Sequence, residues 1–232
     1  MSIKYAYLGP AGTFTEAALL KIAASDDQLI AYANVTAALD AVRKGEANKA
    51  LVPIENSVEG VVARTLDELA SGEPLVITAE TTLPVTFSLM TLENKDPKDI
   101  KSIATHPHAE SQCRSFIAKN YPNAQVIETA STAAAAKGLS KGDYDAAIGA
   151  AIAAKNYQLK IIAEDIGDNT SAVTRFFTGQ TYAYSSMTDI LSGGTTGDSI
   201  LNLTIPIFLT ENPAENNSFG CLINAPNPKV IP

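Results

Sequence analysis

The run PLVITAETTLP, residues 74 to 84, divides the chain into two series of strands and helices. The residues between Pro74 and Pro84 are rich in β-branched side chains, which favour extended structure. On each side of the run, short apolar segments alternate with segments whose apolar residues recur at helical spacing. Such alternation, with short connections, indicates α/β layers around a mostly parallel sheet. We therefore predict two α/β lobes, with the chain crossing from one to the other near this run.

The alternating periodicities give the expected elements on both sides of that crossing. Strand character is found at residues 3–8, 49–53, 85–92, 100–104, 146–148, 161–163 and 173–177. Helical spacing is found at residues 14–24, 35–44, 58–69, 109–119 and 132–139.

The last predicted strand gives the chain a second crossing. It follows DNTSAV and has no helix after it, so we expect it to return to the first lobe. Lobe 1 is then about residues 1–78 plus 170–178 and lobe 2 about 79–169, which together form a module of residues 1–178. Two lobes joined by two crossings place a small-molecule site in the cleft between them.

Composition excludes several classes of protein. The 232 residues are 46% hydrophobic and 18% charged, which is ordinary for a chain that buries a core. The net charge of −8 makes a nucleic-acid partner unexpected. No apolar run reaches the roughly 18–20 residues of a membrane helix, and the start of the chain lacks a secretory signal, so we expect a cytoplasmic protein without a membrane partner. Cys113 and Cys221 form no metal-type pair, and no metal is expected.

Two polar segments follow predicted strands in the first lobe. In LGPAGTFTEAA, residues 8–18, Thr13 or Thr15 can cap a helix whose free N–H groups suit an anion, although a capped turn explains the segment equally well. In VPIENSVEG, residues 52–60, Asn56 and Ser57 are good N-caps at the end of a buried strand, where open α/β sheets bind their ligands.

Two further segments lie beyond the first crossing. In THPHAESQCRSF, residues 105–116, Gln112 offers a donor and an acceptor to a substrate, whereas Cys113 is expected to pack in the core. In the last strand, Thr174 and Phe176 share one face, and Arg175 lies on the other. An arginine in an apolar strand needs either an ion pair or an anionic ligand, and both interpretations remain open. Together the segments suit a small organic acid better than a nucleotide, since no Walker loop or GxGxxG is present.

The same segments, in the same order, resemble the successive motifs of the prephenate dehydratase family. They are GPAGTFTEAA, PIENSVEG, HPHAESQC, the AAIGAA run and NTSAVTRFF, and the resemblance covers roughly residues 4–178. It implies two lobes like a type II periplasmic binding protein. It also implies conversion of prephenate to phenylpyruvate, water and carbon dioxide in phenylalanine biosynthesis, without a cofactor.

The resemblance also assigns residues to the reaction. Thr174 matches the threonine of the family's TRF signature and is implied to be catalytic, together with Asn56 and Gln112. The implied substrate contacts are Thr13, Ser57, Arg175 and Phe176. The resemblance further implies a homo-oligomer, a dimer or a tetramer.

The end of the chain departs from the family pattern. Residues 179–194 are rich in Gly, Ser and Thr and read as a linker, and TGDSILNLTIP, residues 196–206, resembles the first strand of the ACT domain that usually follows. The remaining residues lack the helix and the ESRP-like segment of such a domain and hold many of the chain's prolines. We therefore expect residues 179–232 to be a linker and a truncated ACT-like tail.

Two alternative functions stay open at this point. Arogenate dehydratase acts on the amino-acid analogue of prephenate, and the sequence does not distinguish the two substrates. A non-catalytic two-lobe protein that binds or senses a small carboxylate would need the cleft but not Thr174.

Overall fold

The computed structural model describes residues 2–181. Of the expected linker and ACT-like tail, residues 179 and 180 belong to the last strand of the first sheet. From position 182 onward the expected tail, together with Cys221, lies outside the described residues. Among the described residues, no helix is long and apolar enough to cross a bilayer.

Strands and helices alternate along the described chain, as predicted. The strands are β1 (Lys4–Leu8), β2 (Gln28–Tyr32), β3 (Lys49–Asn56), β4 (Gly60–Val61), β5 (Val76–Pro84), β6 (Ser88–Thr91), β7 (Ser102–Thr105), β8 (Gln125–Glu128), β9 (Ala146–Gly149), β10 (Lys160–Ala163) and β11 (Val173–Gln180). The helices are α1 (Phe14–Leu19), α2 (Val35–Arg43), α3 (Ala63–Ser71), α4 (Pro107–Gln112), α5 (Arg114–Asn120), α6 (Thr132–Ser140) and α7 (Ala151–Tyr157), with a 3-10 turn at Pro97–Asp99.

The strands form two separate sheets, one in each lobe. The first has the order β2-β1-β3-β11-β5, with β4 paired to β3. The second has the order β10-β6-β9-β7-β8. In the first sheet β1 runs parallel to β2 and β3, while β11 runs antiparallel to both β3 and β5. The predicted α/β fold with two lobes is confirmed, and the last strand returns to the first sheet as expected.

The crossing between the lobes lies later in the chain than the predicted boundary at residues 78 and 79. All of β5 belongs to the first sheet, because it pairs with β11 along its whole length, from Val76 to Pro84. The two crossing segments run side by side, and the Val85 N–H donates to the carbonyl of Ala172 at 2.7 Å.

Each sheet is covered by helices on both faces, as expected for strands joined by helical crossovers. On one face of the first sheet, Val52 and Phe177 of the strands pack with Leu39 and Val42 of α2. On the other face, the strand residues Tyr5, Leu51 and Phe176 pack with Leu19 of α1. The second sheet is packed in the same way, by Leu89, Ile103, Ile117 and Ile148 on one face and by Met90, Ala104, Leu139 and Ala147 on the other.

The helix predicted at residues 58–69 begins later, at Ala63, because the preceding residues form a hairpin. Gly60 has a φ of +84°, a conformation that suits glycine, and it begins the short strand β4. The apolar positions that defined the predicted helical face are therefore exposed at its start, and Val61 is 64% exposed. The helix predicted at 109–119 is likewise divided at Cys113 into α4 and α5.

One carboxylate fastens the loops at the edge of the second lobe. Asp145 accepts hydrogen bonds from Lys95 Nζ at 2.6 Å, from the N–H groups of Lys101 and Ser102, and from the Ser102 hydroxyl. The Lys95 bond, followed by those of Lys101 and Ser102, lowers the pKa of Asp145 to about 2 despite the opposing effect of burial.

We expect Asp145→Asn to lower the free energy of unfolding at pH 7 by about 1–2 kcal/mol, since solvent screens this partly exposed charge. The folded pKa lies below the value of about 3.9 for an unfolded aspartate. The stabilisation is therefore complete above about pH 4 and is lost as the pH falls towards 2. Urea unfolding of both proteins between pH 7 and pH 2 measures this, with Asp143→Asn as the control. A difference that stays constant over that range would contradict the expectation.

Candidate active site

Thr174 and Asn56 meet at the middle of the first sheet. They are register partners on the antiparallel strands β11 and β3, although 118 residues separate them in sequence. The Asn56 Nδ2 donates a hydrogen bond to Thr174 Oγ1 at 2.8 Å. Thr174 is only 8% exposed. Because the hydroxyl oxygen accepts this bond, its own hydrogen is left for a second partner, and accepting one bond strengthens the other.

The other end of the Asn56 amide shapes the hairpin that follows β3. Its Oδ1 accepts the N–H groups of Val58 at 2.9 Å and Glu59 at 3.1 Å. Ser57 joins this hairpin to β11, since its N–H donates to the Val173 carbonyl and its Oγ accepts the Val173 N–H, both at 2.9 Å. The prediction that Asn56 and Ser57 cap a helix is therefore wrong. They hold a turn instead, and α3 begins later without a side-chain cap.

Gln112 comes from the second lobe, at the end of α4. That helix begins directly after β7, with His106 as its N-cap and Pro107 in its first turn, a position that suits proline. Gln112 is 9% exposed, and its Nε2 donates to Glu59 Oε1 at 3.0 Å. Its Oε1 is buried and has no hydrogen-bond partner among the described residues. Glu59 thus connects Gln112 to the hairpin of Asn56.

Glu59 was not among the predicted site residues. The sequence contained a weak signal for it, since Glu59 lies in the same PIENSVEG segment as Asn56. Its importance depends on a contact across the two lobes, which no local pattern reveals.

Thr13 caps α1, as the sequence predicted. Its Oγ1 accepts the Glu16 N–H at 3.3 Å and donates to the Leu8 carbonyl at 3.1 Å. This turn packs on the second lobe, where Tyr157 Oη donates to the Ala11 carbonyl at 2.8 Å. The structure gives Thr13 no hydrogen bond to the catalytic candidates within the described residues. The prediction that Thr13 contacts substrate stays a prediction.

Arg175 forms the ion pairs that one of its two interpretations predicts. Its guanidinium bonds Glu55 Oε2 at 2.8 Å and both carboxylate oxygens of Glu80, at 2.7 and 3.1 Å. The Glu80 contact, followed by that with Glu55, raises the pKa of Arg175, and in return the guanidinium lowers the pKa of Glu80. Arg175 is therefore already paired with two carboxylates, on the face of β11 opposite Thr174.

Phe176 and Cys113 both lie in the core. Phe176 is 1% exposed and packs among the residues beside α1. Cys113 is fully buried in the second lobe, and burial raises the pKa of its thiol to about 12, so it packs as a small apolar residue. The substrate contact predicted for Phe176 stays a prediction. No cluster of three or more potential metal ligands is found among residues 2–181.

The sources of anion attraction differ from those that the sequence suggested. Arg175 is neutralised by Glu55 and Glu80, and no helix begins at the PIENSVEG segment. At the start of α1, the Gly12 and Glu16 N–H groups are taken by the side chains of Glu16 and Thr13. The groups that converge between the lobes are thus the side chains of Thr174, Asn56 and Gln112, together with the carboxylate of Glu59 and the imidazole of His108, whose Nδ1 lies 3.4 Å from Glu59 Oε2.

Known proteins share these sequence features over most of the chain. A family model described as prephenate dehydratase matches residues 5–181. A prephenate dehydratase of Amycolatopsis methanolica is 49% identical over 173 residues, which is 75% of this chain and 56% of that protein. A prephenate dehydratase of Mycobacterium ulcerans is 42% identical over 182 residues, covering 75% of this chain and 58% of that protein.

A solved structure agrees with the sequence comparisons. The crystal structure of a prephenate dehydratase from Arthrobacter aurescens, in complex with L-Phe, matches with a TM-score of 0.73 and 47% identity. The match covers 78% of this chain and 60% of that one. The chain thus spans less than two thirds of the length of each of these relatives.

Proposed function

The chain belongs to the prephenate dehydratase family, and on that premise we propose that it converts prephenate to phenylpyruvate, water and carbon dioxide in L-phenylalanine biosynthesis. The observation that carries the proposal is the hydrogen bond between Asn56 and Thr174. It joins two family signatures that are distant in sequence, and it prepares a buried hydroxyl to act as a donor.

The reaction needs little more than orientation and help for the leaving group. The bond from the ring to the carboxylate breaks, and its electron pair enters the ring as carbon dioxide departs. The bond from the ring to the 4-hydroxyl breaks with its electron pair going to oxygen, which takes up a proton and leaves as water. The ring becomes aromatic, so the thermodynamic drive is large. The enzyme must hold a dianion and stabilise the departing oxygen.

In this proposal Thr174 donates a hydrogen bond to the departing oxygen and passes its hydroxyl proton to it, and the threonine hydroxyl then regains a proton from solvent, so that one proton is consumed for each water that leaves. Asn56 polarises that hydroxyl by donating to Oγ1, which strengthens the bond that Thr174 gives. Gln112 faces the substrate from the second lobe, and Ser57 fixes the hairpin on β11. The proposed substrate contacts from the family pattern remain Thr13, Ser57, Arg175 and Phe176, although each is already engaged within the fold.

The proposal is tested by incubating the purified chain separately with prephenate and with arogenate. We expect phenylpyruvate from prephenate, followed by its absorbance in alkali, and little phenylalanine from arogenate. Turnover of arogenate alone would reassign the chain to arogenate dehydratase. Binding of both compounds without turnover, measured by calorimetry, would favour a sensor and overturn the proposal.

The family pattern also supports a proposal for the assembly. We propose that the chain forms a homo-oligomer, a dimer or a tetramer, in the cytoplasm. We also propose that residues 1–178 make up its catalytic module, and the pairing of β5 with β11 supports a first crossing after Pro84. Gel filtration at two protein concentrations tests the oligomer, and an elution volume that matches a monomer at both would contradict it.

A further inference from the structure

We propose that Glu59 is a positioning residue of the reaction, whose carboxylate fixes the side-chain amide of Gln112 so that Gln112 Oε1 is turned towards a hydrogen-bond donor of the substrate. This inference rests on the proposed function. It concerns a residue to which neither the sequence analysis nor the family resemblance gives a role.

Glu59 is held between the hairpin of Asn56 and the side chain of Gln112. Its backbone N–H is held by Asn56 Oδ1 at 3.1 Å, so the hairpin that carries it is fixed by the same side chain that bonds Thr174. Its Oε1 accepts from Gln112 Nε2 at 3.0 Å, and its Oε2 lies 3.4 Å from His108 Nδ1. A continuous path of hydrogen bonds therefore leads from Thr174 in the first lobe to Gln112 in the second.

The carboxylate of Glu59 fixes one of the two orientations of the Gln112 amide. A primary amide has a donor end and an acceptor end, whereas an ionised carboxylate only accepts. With Glu59 opposite, the amide must present Nε2 to the carboxylate, because the reversed amide would set two acceptors against each other. Glu59 thereby decides which way Gln112 Oε1 points.

Gln112 Oε1 is buried and lacks a hydrogen-bond partner among the described residues. Leaving a buried acceptor unpaired costs about 1–3 kcal/mol, so an exception of this kind in a folded protein calls for an explanation. A ligand that supplies the missing donor explains it, since Gln112 stands beside the hairpin of Asn56 at the junction of the lobes.

The hydrogen-bond donor that Gln112 Oε1 lacks can be identified from the groups of prephenate. At neutral pH the two carboxylates of prephenate only accept hydrogen bonds, and the 4-hydroxyl is the group that can donate. We assign the hydrogen of that hydroxyl to Gln112 Oε1. The hydroxyl oxygen then turns its lone pairs to Thr174, and the arrangement persists as the hydroxyl gains a proton and leaves as water. No charge builds up on the amide in this step.

The inference is tested by a double-mutant cycle of Glu59→Ala and Gln112→Ala. We expect Glu59→Ala to lower kcat for prephenate by about 10- to 100-fold, with a smaller change in KM, because the amide loses its orientation. Glu59→Gln offers a donor as well as an acceptor, so it no longer decides which way the Gln112 amide points, and its kcat should lie between those of Glu59→Ala and wild type. The double variant should be no slower than Gln112→Ala alone, since coupled residues are not additive. Glu110→Gln, on the same helix, is the control for lost charge and should match wild type.

A second measurement does not depend on turnover. In a ¹H–¹⁵N spectrum, the side-chain amide of Gln112 is identified by its loss in Gln112→Ala, and we expect it to shift in Glu59→Ala but not in Glu110→Gln. Fully multiplicative losses in the cycle, or an unmoved Gln112 amide in Glu59→Ala, would overturn the inference. An inactive wild-type chain would instead contradict the proposed function, and the spectrum would still decide whether Glu59 orients Gln112.

Discussion

Replacing Thr174 by alanine is expected to lower kcat for prephenate by roughly 10²–10⁴-fold, the range of a lost proton-donating group in the transition state. The variant removes the hydroxyl that Asn56 bonds at 2.8 Å and leaves everything else on β11 in place. KM should change little, because the proposed bond from Thr174 to the departing oxygen strengthens only as that oxygen gains charge. Steady-state formation of phenylpyruvate measures both parameters.

Two variants make this result specific. Thr174→Ser keeps the hydroxyl and should stay within about tenfold of wild type, since serine has the same donor and acceptor groups as threonine. Thr178→Ala is the matched control, because Thr178 is a buried threonine on the same strand whose Oγ1 has no partner among the described residues. It should keep full activity even if its melting temperature changes. Near-normal phenylpyruvate formation by Thr174→Ala would remove Thr174 from the mechanism.

The pairing of Thr174 with Asn56 shows how far the sequence leads towards the site. Strand periodicity placed Thr174 on a buried strand and Asn56 just after one, although β3 in fact extends to Asn56, and the resemblance marked both residues as functional. What joined them was the return of β11 to the first sheet, which the missing helix after that strand indicated correctly. The register that sets Thr174 opposite Asn56 depends on a one-residue shift in the pairing with β3. Arg175 pairs with Glu55 and Phe176 with Pro53, so Ile54 is skipped, and the sequence pattern did not predict this shift.

Two of the strands that the sequence missed share a physical cause. The strand β2 lies at the edge of its sheet and none of its residues is fully buried, so it lacks a continuous apolar run. The strand β8 is also an edge strand, with exposed residues at both ends. The late start of the helix predicted at 58–69 has a different cause. The side chain of Asn56 bonds the N–H groups of Val58 and Glu59, and these bonds compete with helical hydrogen bonds where apolar spacing alone suggested a helix.

Contacts between the lobes were beyond prediction for another reason. Glu59 and Gln112 are 53 residues apart, and they lie in different lobes, Glu59 in the turn between β3 and β4 and Gln112 at the end of α4. Neither belongs to a pattern that requires the other, and only the relative placement of the two lobes brings them within hydrogen-bond distance. The ion pairs of Arg175 lie within the first sheet, but they were also beyond prediction. Its two acidic partners lie on the neighbouring strands β3 and β5, and they could be identified only once the strand order was known.

Phe176 offers the second large expected effect, and it separates a core role from a substrate contact. We expect Phe176→Ala to lower the free energy of unfolding by about 3–5 kcal/mol, the usual cost of truncating a buried phenylalanine. The ring is 1% exposed and packs with Tyr5, Leu19 and Leu51 between the first sheet and α1. Urea unfolding followed by circular dichroism measures the loss. Phe116→Ala, at a partly buried position in the second lobe, should cost clearly less.

The milder variant Phe176→Leu decides whether the ring also meets the substrate. A leucine keeps most of the packing, so we expect a loss of about 1–2 kcal/mol with KM for prephenate within twofold of wild type. An unchanged unfolding midpoint together with a several-fold higher KM would contradict the core role and support the substrate contact that the family pattern implies. The neighbouring position explains why the core role is the expected one. Because Thr174 and Phe176 share a face of β11, the ring that packs against α1 supports the strand directly beside the reacting hydroxyl.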